Sequence, residues 1–124
     1  MGIFSTNKEG NSKENINWIQ LNSVLQLENI KLFSNEKPVL IFKHSTRCSV
    51  SRMALRQFER EFKLSDSIET YFLDLLEFRD LSNQIATNYN TAHQSPQVLL
   101  IQNGTCTYSA THSDIDPTIL EEKI

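Results

Sequence analysis

The apolar run at residues 39–42, Val-Leu-Ile-Phe, is short, unbroken and flanked by polar residues. Lys37-Pro38 breaks the preceding pattern, and four apolar residues without alternation are typical of a strand that is covered on both faces. Such a strand lies in the middle of a sheet that carries helices on both sides. The run therefore predicts an α/β domain with residues 39–42 in its central strand.

A strand and a helix are predicted before this run. Residues 16–21 show a weak apolar alternation that indicates a strand. Ser23 and Gln26 then have the spacing of a capping box, which predicts a helix from there to about residue 33. The residues expected to form its buried stripe are Val24, Leu25, Leu27 and Ile30.

Further helices and a strand are predicted after the central strand. Over residues 49–63, apolar side chains recur at helical spacing with charged residues between them, which indicates an amphipathic helix. Its expected core residues are Met53, Leu55, Phe58 and Phe62. Residues 70–73 form a compact strand candidate, and residues 78–89 have the pattern of another amphipathic helix.

The last part of the chain contains a hairpin and a short helix. Residues 98–101 and 105–110 are joined by Asn103-Gly104, the pair favoured in tight two-residue turns. Asp116-Pro117 supplies an N-cap and a first-turn proline for the final helix. The resulting order, β-α-β-α-β-α-β-β-α, is the layout of the thioredoxin fold, an α/β fold with a central mixed sheet of about five strands flanked by about four helices.

Length, composition and charge set the organisation of the chain and exclude several classes of protein. With 124 residues, 39% of them apolar, we expect one thioredoxin-like domain over residues 15–124 and a flexible leader over residues 1–14. Two cysteines are too few for a disulfide scaffold, and we expect no metal and no bound cofactor. A net charge of −3 argues against nucleic acid as a partner, and no apolar run is long enough for a membrane span. A cytoplasmic protein is therefore expected.

Cys48 is the candidate catalytic nucleophile. It lies between the end of the predicted central strand and the start of the next helix, where free backbone N–H groups and the helix dipole favour a thiolate. The cationic residues expected nearby are Lys43, His44, Arg47 and Arg52, and of these His44 and Arg47 are assigned to substrate binding. Ser51, also assigned to the catalytic site, occupies the position of the resolving cysteine in a dithiol enzyme. An external thiol is therefore expected to release whatever Cys48 captures, with Cys106 as the alternative.

The substrate side of the site is predicted from two later segments. Thioredoxin-like proteins resemble one another in a cis-proline that faces the active cysteine, which makes Pro96 the candidate and leaves the backbone of Ser95 free to pair with an extended thiol substrate. His112 and Asp114 lie where glutaredoxin-like relatives of this fold hold the polar end of a small thiol. Asp114 is equally well interpreted as a helix cap, and a lone histidine such as His112 is often structural or solvent-facing.

Several motifs together carry a resemblance to a known family. Residues 38–51 contain Lys-His-Ser-Thr-x-Cys followed by serine at the third place, and Ser-Pro-Gln follows at residues 95–97. With Asn103-Gly104 and residues 112–115, they resemble the monothiol bacilliredoxin family, the YtxJ-like redox proteins of the bacillithiol system, over about residues 16–124. The chain departs from the family pattern in two places: Ser49 replaces the usual proline, and Ser113 replaces the usual aromatic residue.

The resemblance implies an enzyme that removes bacillithiol from mixed disulfides on proteins, with Cys48 as the attacking residue and Pro96 in the substrate groove. Its partners would be S-thiolated proteins and a low-molecular-weight thiol as co-substrate. Two other interpretations stay open. One is a non-catalytic binding or redox-sensing module with the same fold. The other is an arsenate-reductase-like enzyme in which arginines beside Cys48 hold an oxyanion.

Overall fold

The computed structural model describes residues 16–124. The leader predicted over residues 1–14 and the predicted domain start at Asn15 lie outside the described residues. The strands and helices, in chain order, are β1 (Ile19–Gln20), α1 (Val24–Phe33), β2 (Val39–His44), α2 (Ser49–Glu61), β3 (Glu69–Asp74), α3 (Arg79–Asn88), β4 (Gln97–Gln102), β5 (Thr105–Thr111) and α4 (Pro117–Lys123). Two short 3₁₀ turns, Ser65–Ser67 and His112–Asp114, precede β3 and α4.

The five strands form one mixed sheet in the order β1-β3-β2-β4-β5. β1, β3 and β2 are parallel to one another, whereas β4 is antiparallel to both β2 and β5. All six residues of β2 are buried, as expected for a central strand with helices on both faces. The predicted α/β thioredoxin-like fold is therefore confirmed.

Each face of the sheet supports its own apolar core, because successive side chains of a strand point to opposite faces. On one face Leu40 and Phe42 pack with Phe58 of α2 and with Phe62, the residue after its last turn. On the other face the core is formed with side chains from α1 and α3, and it includes Val39, Ile41, Leu27, Ile30 and Ile85. Residues 39–42 of β2 thus belong alternately to the two cores.

Three residues predicted to be buried are instead exposed. In α1, Leu27 and Ile30 are buried, but Val24 and Leu25 are 59% and 66% exposed. In α2, Met53 is 69% exposed. Each helix packs against one face of the sheet, α1 and α2 on opposite faces, and buries only a narrow stripe. Apolar residues beside that stripe therefore remain in contact with solvent.

Capping and turn residues hold the elements as the sequence predicted. Ser23 and Gln26 form the capping box of α1, and the Asp116 side chain accepts a hydrogen bond from the Thr118 N–H at the start of α4. Asn103 and Gly104 both have positive φ, 52° and 76°, which is the geometry of the tight hairpin turn between β4 and β5. Within residues 16–124, no helix is both long enough and apolar enough to cross a bilayer.

Replacing Gly104 by alanine is expected to lower the free energy of unfolding by about 1–2 kcal/mol, because a β-carbon disfavours the left-handed conformation. Steric crowding adds little, since the new carbon would lie 3.7 Å from the nearest atom, Lys31 Cγ. Urea denaturation measures the difference. Asparagine tolerates positive φ better than alanine, so Gly104→Asn should cost less. Equal costs for the two variants would contradict this explanation.

Candidate active site

Cys48 occupies the N-cap of α2, directly after the loop that leaves the central strand. Its backbone is extended, with φ −102° and ψ 121°, and no side chain caps the helix start by a hydrogen bond. The Cys48 N–H donates to the Ser45 carbonyl over 3.1 Å, and its own carbonyl accepts from the Arg52 N–H over 3.1 Å. The thiol is free and partly exposed. A nucleophilic sulfur is therefore presented at the positive end of a thirteen-residue helix.

Ser51 is buried behind Cys48 and joins the start of α2 to the end of β2. Its side chain is 0% exposed. The Oγ atom lies 2.8 Å from His44 Nδ1 and accepts the Ser45 N–H over 3.1 Å. These contacts fix the first turn of α2 against the loop before Cys48. The serine that replaces a resolving cysteine thus contributes to the structure of the site.

His44 does not have the position or the charge expected from the sequence. It is 4% exposed, so it lies beneath the surface of the site. Burial lowers its pKa, the Arg52 cation lowers it further, and Asp74 opposes both effects. The imidazole is therefore favoured in its neutral form, bonded to Ser51. The expected exposed cation at His44 is therefore wrong, since the ring is buried and contacts Ser51.

Lys43 also departs from its expected place beside Cys48. Neighbouring residues of a strand point to opposite faces, so Lys43 points to the face opposite His44 and Ser51. Its Nζ donates to the Ser82 carbonyl of α3 over 3.0 Å. The expected contribution of Lys43 to the charge around the thiol is therefore wrong.

The exposed cations next to Cys48 are two arginines. Arg47 directly precedes Cys48 and is exposed. Arg52 is exposed as well, and its Nη1 donates to the Thr46 carbonyl over 3.1 Å, which holds the loop against α2. Of the four cations expected around the thiol, only these two remain at the surface.

Pro96 and His112 are joined at the same end of the sheet as Cys48. The Ser95–Pro96 peptide bond is cis, as predicted. Gln97 pairs with Lys43 across β2 and β4, so the next step of the register places Pro96 level with the end of β2. The His112 N–H donates to the Pro96 carbonyl over 3.1 Å. Among the described residues, Ser95 Oγ is buried without a hydrogen-bond partner, so the fold itself does not use this group.

A cavity of about 310 Å³ lies between α2 and the segment that follows β5. Its lining residues are Val50, Met53, Ala54, Gln57, His112, Ser113, Ile115 and Asp116. His112 thus faces a cavity next to the first turn of α2, whereas Asp114 lies in an adjoining open depression. The cap of α4 is Asp116, so the alternative interpretation of Asp114 as that cap is wrong.

Sequence reasoning missed the apolar wall of this cavity, formed by Val50 and Met53. Both are exposed, at 51% and 69%. The available signal was the position of Met53, which lies off the stripe marked by Ser51, Phe58 and Phe62. Val50 and Met53 together give the cavity an exposed apolar side next to the start of α2.

Cys106 is separated from Cys48 by the sheet. It lies in the outer strand β5, is partly buried against the α1 and α3 core, and its Sγ contacts the Tyr108 carbonyl at 3.4 Å. Burial raises the pKa of the Cys106 thiol, although hydrogen bonds with Thr91 and backbone groups oppose the shift. Cys106 is thus a neutral thiol that packs in the sheet on the face opposite Cys48.

Replacing Ser51 by alanine is expected to destabilise the fold by about 1–3 kcal/mol, because the buried His44 Nδ1 and Ser45 N–H would lose their partner. The matched control is Ser49→Ala, which removes an exposed hydroxyl two residues earlier and should change stability by about 0.5 kcal/mol or less. Chemical denaturation of both variants gives the comparison. Equal stability of the two variants would contradict an anchoring role for Ser51.

Comparisons with known proteins agree with this geometry. Residues 19–120 match the family model of the monothiol bacilliredoxin BrxC. A solved structure described by its thioredoxin fold and a proposed oxidoreductase activity is 31% identical, with a TM-score of 0.75, over 90% of this chain and 96% of its own.

Two thioredoxins are similar in fold at lower identity. A thioredoxin from Malassezia sympodialis is 22% identical, with a TM-score of 0.62, over 83% of this chain and 84% of its own. Mitochondrial thioredoxin 3 from Saccharomyces cerevisiae is 17% identical, with a TM-score of 0.65, over 91% and 96%.

The mixed sheet, the cysteine at the N-cap of α2 and the cis-proline level with the end of β2 define a thiol oxidoreductase of the thioredoxin fold. Within that class, the match covers most of the chain and includes every residue of the site described above. The chain belongs to the monothiol bacilliredoxin family.

Proposed function

We propose that the protein removes a low-molecular-weight thiol, bacillithiol, from protein mixed disulfides through Cys48. The proposal rests on two features that occur together at the start of α2, an accessible thiol and a buried serine. A partly exposed thiol occupies the N-cap, and the third residue after it is a buried serine that holds the helix in place. This arrangement suits a nucleophile that works without a local resolving partner.

The proposed reaction is a thiol–disulfide exchange. The Cys48 thiolate attacks the small-thiol sulfur of a protein–S–S–R disulfide, and the new S–S bond forms as the old one breaks. The electron pair of the broken bond leaves with the protein sulfur, which takes a proton from water. The products are a free protein thiol and Cys48–S–S–R.

Completion of the cycle requires a second thiol from outside the protein. Ser51 has no sulfur, and Cys106 lies on the other face of the sheet with a pKa raised by burial. An external thiolate would attack the small-thiol sulfur of Cys48–S–S–R, form a new disulfide with the small thiol and release Cys48 as its thiolate. The regenerating thiol is therefore a second substrate.

Substrate binding is proposed for the surface around Cys48. Ser95 and Pro96 would pair with the extended disulfide, and Arg47 would interact with acidic groups of the small thiol. His112 would contact the small thiol from the cavity beside α2, and Asp114 would do so from the adjoining depression. These assignments are supported by placement at one end of the sheet.

The test compares two forms of one protein, modified on the same cysteine with bacillithiol or with glutathione. Each form is mixed with the purified protein, and the free thiol of the test protein is followed over time against a sample without enzyme. Faster release from the bacillithiol form is expected. No release from either form would contradict the proposal and favour the binding or redox-sensing module. Thiol-dependent reduction of arsenate in place of release would favour the arsenate-reductase-like alternative.

A further inference from the structure

Lys43 is a fully buried lysine in the central strand, and its environment is unusual. Its side chain is 0% exposed, and transfer of an ammonium group out of water is expensive unless polar groups replace the water. Nζ donates to the Ser82 carbonyl over 3.0 Å and lies 3.4 Å from His93 Nδ1. Burial lowers the pKa of Lys43 to about 8, so the group is largely charged at neutral pH. An apolar residue would fill this position at lower cost, so the lysine calls for an explanation.

His93 is the group through which Lys43 reaches the loop after α3. An ammonium can only donate, so the Lys43 contact requires an unprotonated Nδ1 on His93. Ser82 Oγ lies 2.9 Å from the same nitrogen. Burial lowers the pKa of His93, and the Lys43 and Arg79 cations lower it further, which favours the neutral ring. Two groups from β2 and α3 therefore converge on one ring nitrogen.

Gln97 holds the residues on either side of His93. It pairs with Lys43 across β2 and β4, so both side chains lie on the same face of the sheet. Its Nε2 donates to the Ala92 carbonyl over 3.0 Å, and its Oε1 accepts from the Gln94 N–H over 3.4 Å. The loop at residues 91–95 is thus anchored by side chains at three successive residues, 92–94, directly before Ser95.

We propose that Lys43 is a positioning residue of the exchange reaction, which through His93 fixes the loop at residues 91–95 and so sets Ser95 and Pro96 against the strand that leads to Cys48. The inference rests on the proposed function of Cys48. The inference assigns different positioning roles to Lys43 and His44, whose side chains lie on opposite faces of the sheet. His44 orders the start of α2 through Ser51, and Lys43 orders the substrate side.

The test uses Lys43→Met, which keeps much of the side-chain volume and removes the charge. Hydrogen–deuterium exchange should become about tenfold faster at the amides of Thr91 and Gln94, which are hydrogen-bonded in the anchored loop. The kcat/KM for release of a bacillithiol-modified protein should fall about tenfold, mainly through KM. Alkylation of Cys48 by iodoacetamide should stay within about twofold of wild type, because the thiol lies on the other face.

Two further variants complete the design. Lys63→Met makes the same chemical change at an exposed lysine and should change none of these measurements. His93→Ala removes the other end of the contact and should reproduce the Lys43→Met effects, even if the Lys43 variant fails to fold. In a double-mutant cycle the two changes should be non-additive.

Unchanged amide exchange over residues 91–95 in both Lys43→Met and His93→Ala would overturn the inference. Alkylation slowed as much as kcat/KM would overturn it as well, because Lys43 would then act on the thiol itself. If the wild type released no protein thiol while the variants still loosened the loop, the proposed function would fail and the anchoring would stand by itself.

Discussion

Replacing Cys48 by serine reduces release of the protein thiol from a mixed disulfide by about 1,000-fold or more, because serine is not ionised at neutral pH and cannot exchange with a disulfide. The structure offers no substitute nucleophile among the described residues, since the other cysteine packs on the opposite face of the sheet. Release is measured as free thiol on a bacillithiol-modified test protein under conditions in which the wild type completes the reaction.

The matched control is Cys106→Ser. It makes the same chemical change in the outer strand, at a thiol that contacts the Tyr108 carbonyl at 3.4 Å. Its rate of release should stay within about twofold of wild type, because no step of the exchange needs Cys106. Loss of activity in the Cys106 variant, with activity kept in the Cys48 variant, would reverse the assignment of the nucleophile.

Replacing Phe58 by alanine lowers the free energy of unfolding by about 3–5 kcal/mol, the largest expected effect on stability. Phe58 is 1% exposed and connects α2 to the sheet. Its ring stacks on Phe62 at a centroid distance of 4.9 Å and meets Phe42 edge-on at 5.6 Å, with Trp18 at 6.2 Å. The cavity left by its removal would cost contacts with all three rings.

Urea denaturation followed by far-UV circular dichroism measures this loss without depending on Trp18 fluorescence. Phe33→Ala serves as the control, because Phe33 ends α1 with 36% of its surface exposed. Its cost should be clearly smaller than that of Phe58→Ala. Similar costs would show that the aromatic cluster under α2 does not carry the stability assigned to it.

The sequence was sufficient to predict the order of elements because several local signals agreed. The apolar run of β2, the capping box at Ser23 and the Asn103-Gly104 turn each act through neighbouring residues. The helix that follows Cys48 was predicted from periodicity alone, and its N-cap placed the cysteine correctly. Patterns of this kind are visible in one sequence because the interacting residues lie within a few positions of one another.

Contacts between residues that are distant in the chain could not be predicted from such local patterns. Lys43 and His93 are 50 residues apart in the chain, and no local pattern joins them. The alternation of β2 does imply that Lys43 and His44 point to opposite faces. Which helix covers each face depends on the path of the whole chain, so both were expected beside Cys48. The exposure of Met53 was missed for a related reason, since the buried stripe of α2 is set by its angle on the sheet.

The cis Ser95–Pro96 bond had a different source. Spacing alone would not have supported it, since only about 5–6% of such bonds in folded proteins are cis. The prediction came from the resemblance to thioredoxin-like proteins, which share a cis-proline that faces the active cysteine. Its confirmation shows that fold inference supplied information that local propensity lacked.

The central claim is that Cys48 attacks the small-thiol sulfur and retains the small thiol. Mass spectrometry after a single turnover tests it most directly, with the Cys106→Ser protein and a test protein that carries isotopically labelled bacillithiol. Peptide mapping should locate one labelled bacillithiol on Cys48, in an amount equal to the free thiol on the test protein. A disulfide between Cys48 and the test protein itself, or an unmodified Cys48, would contradict the claim.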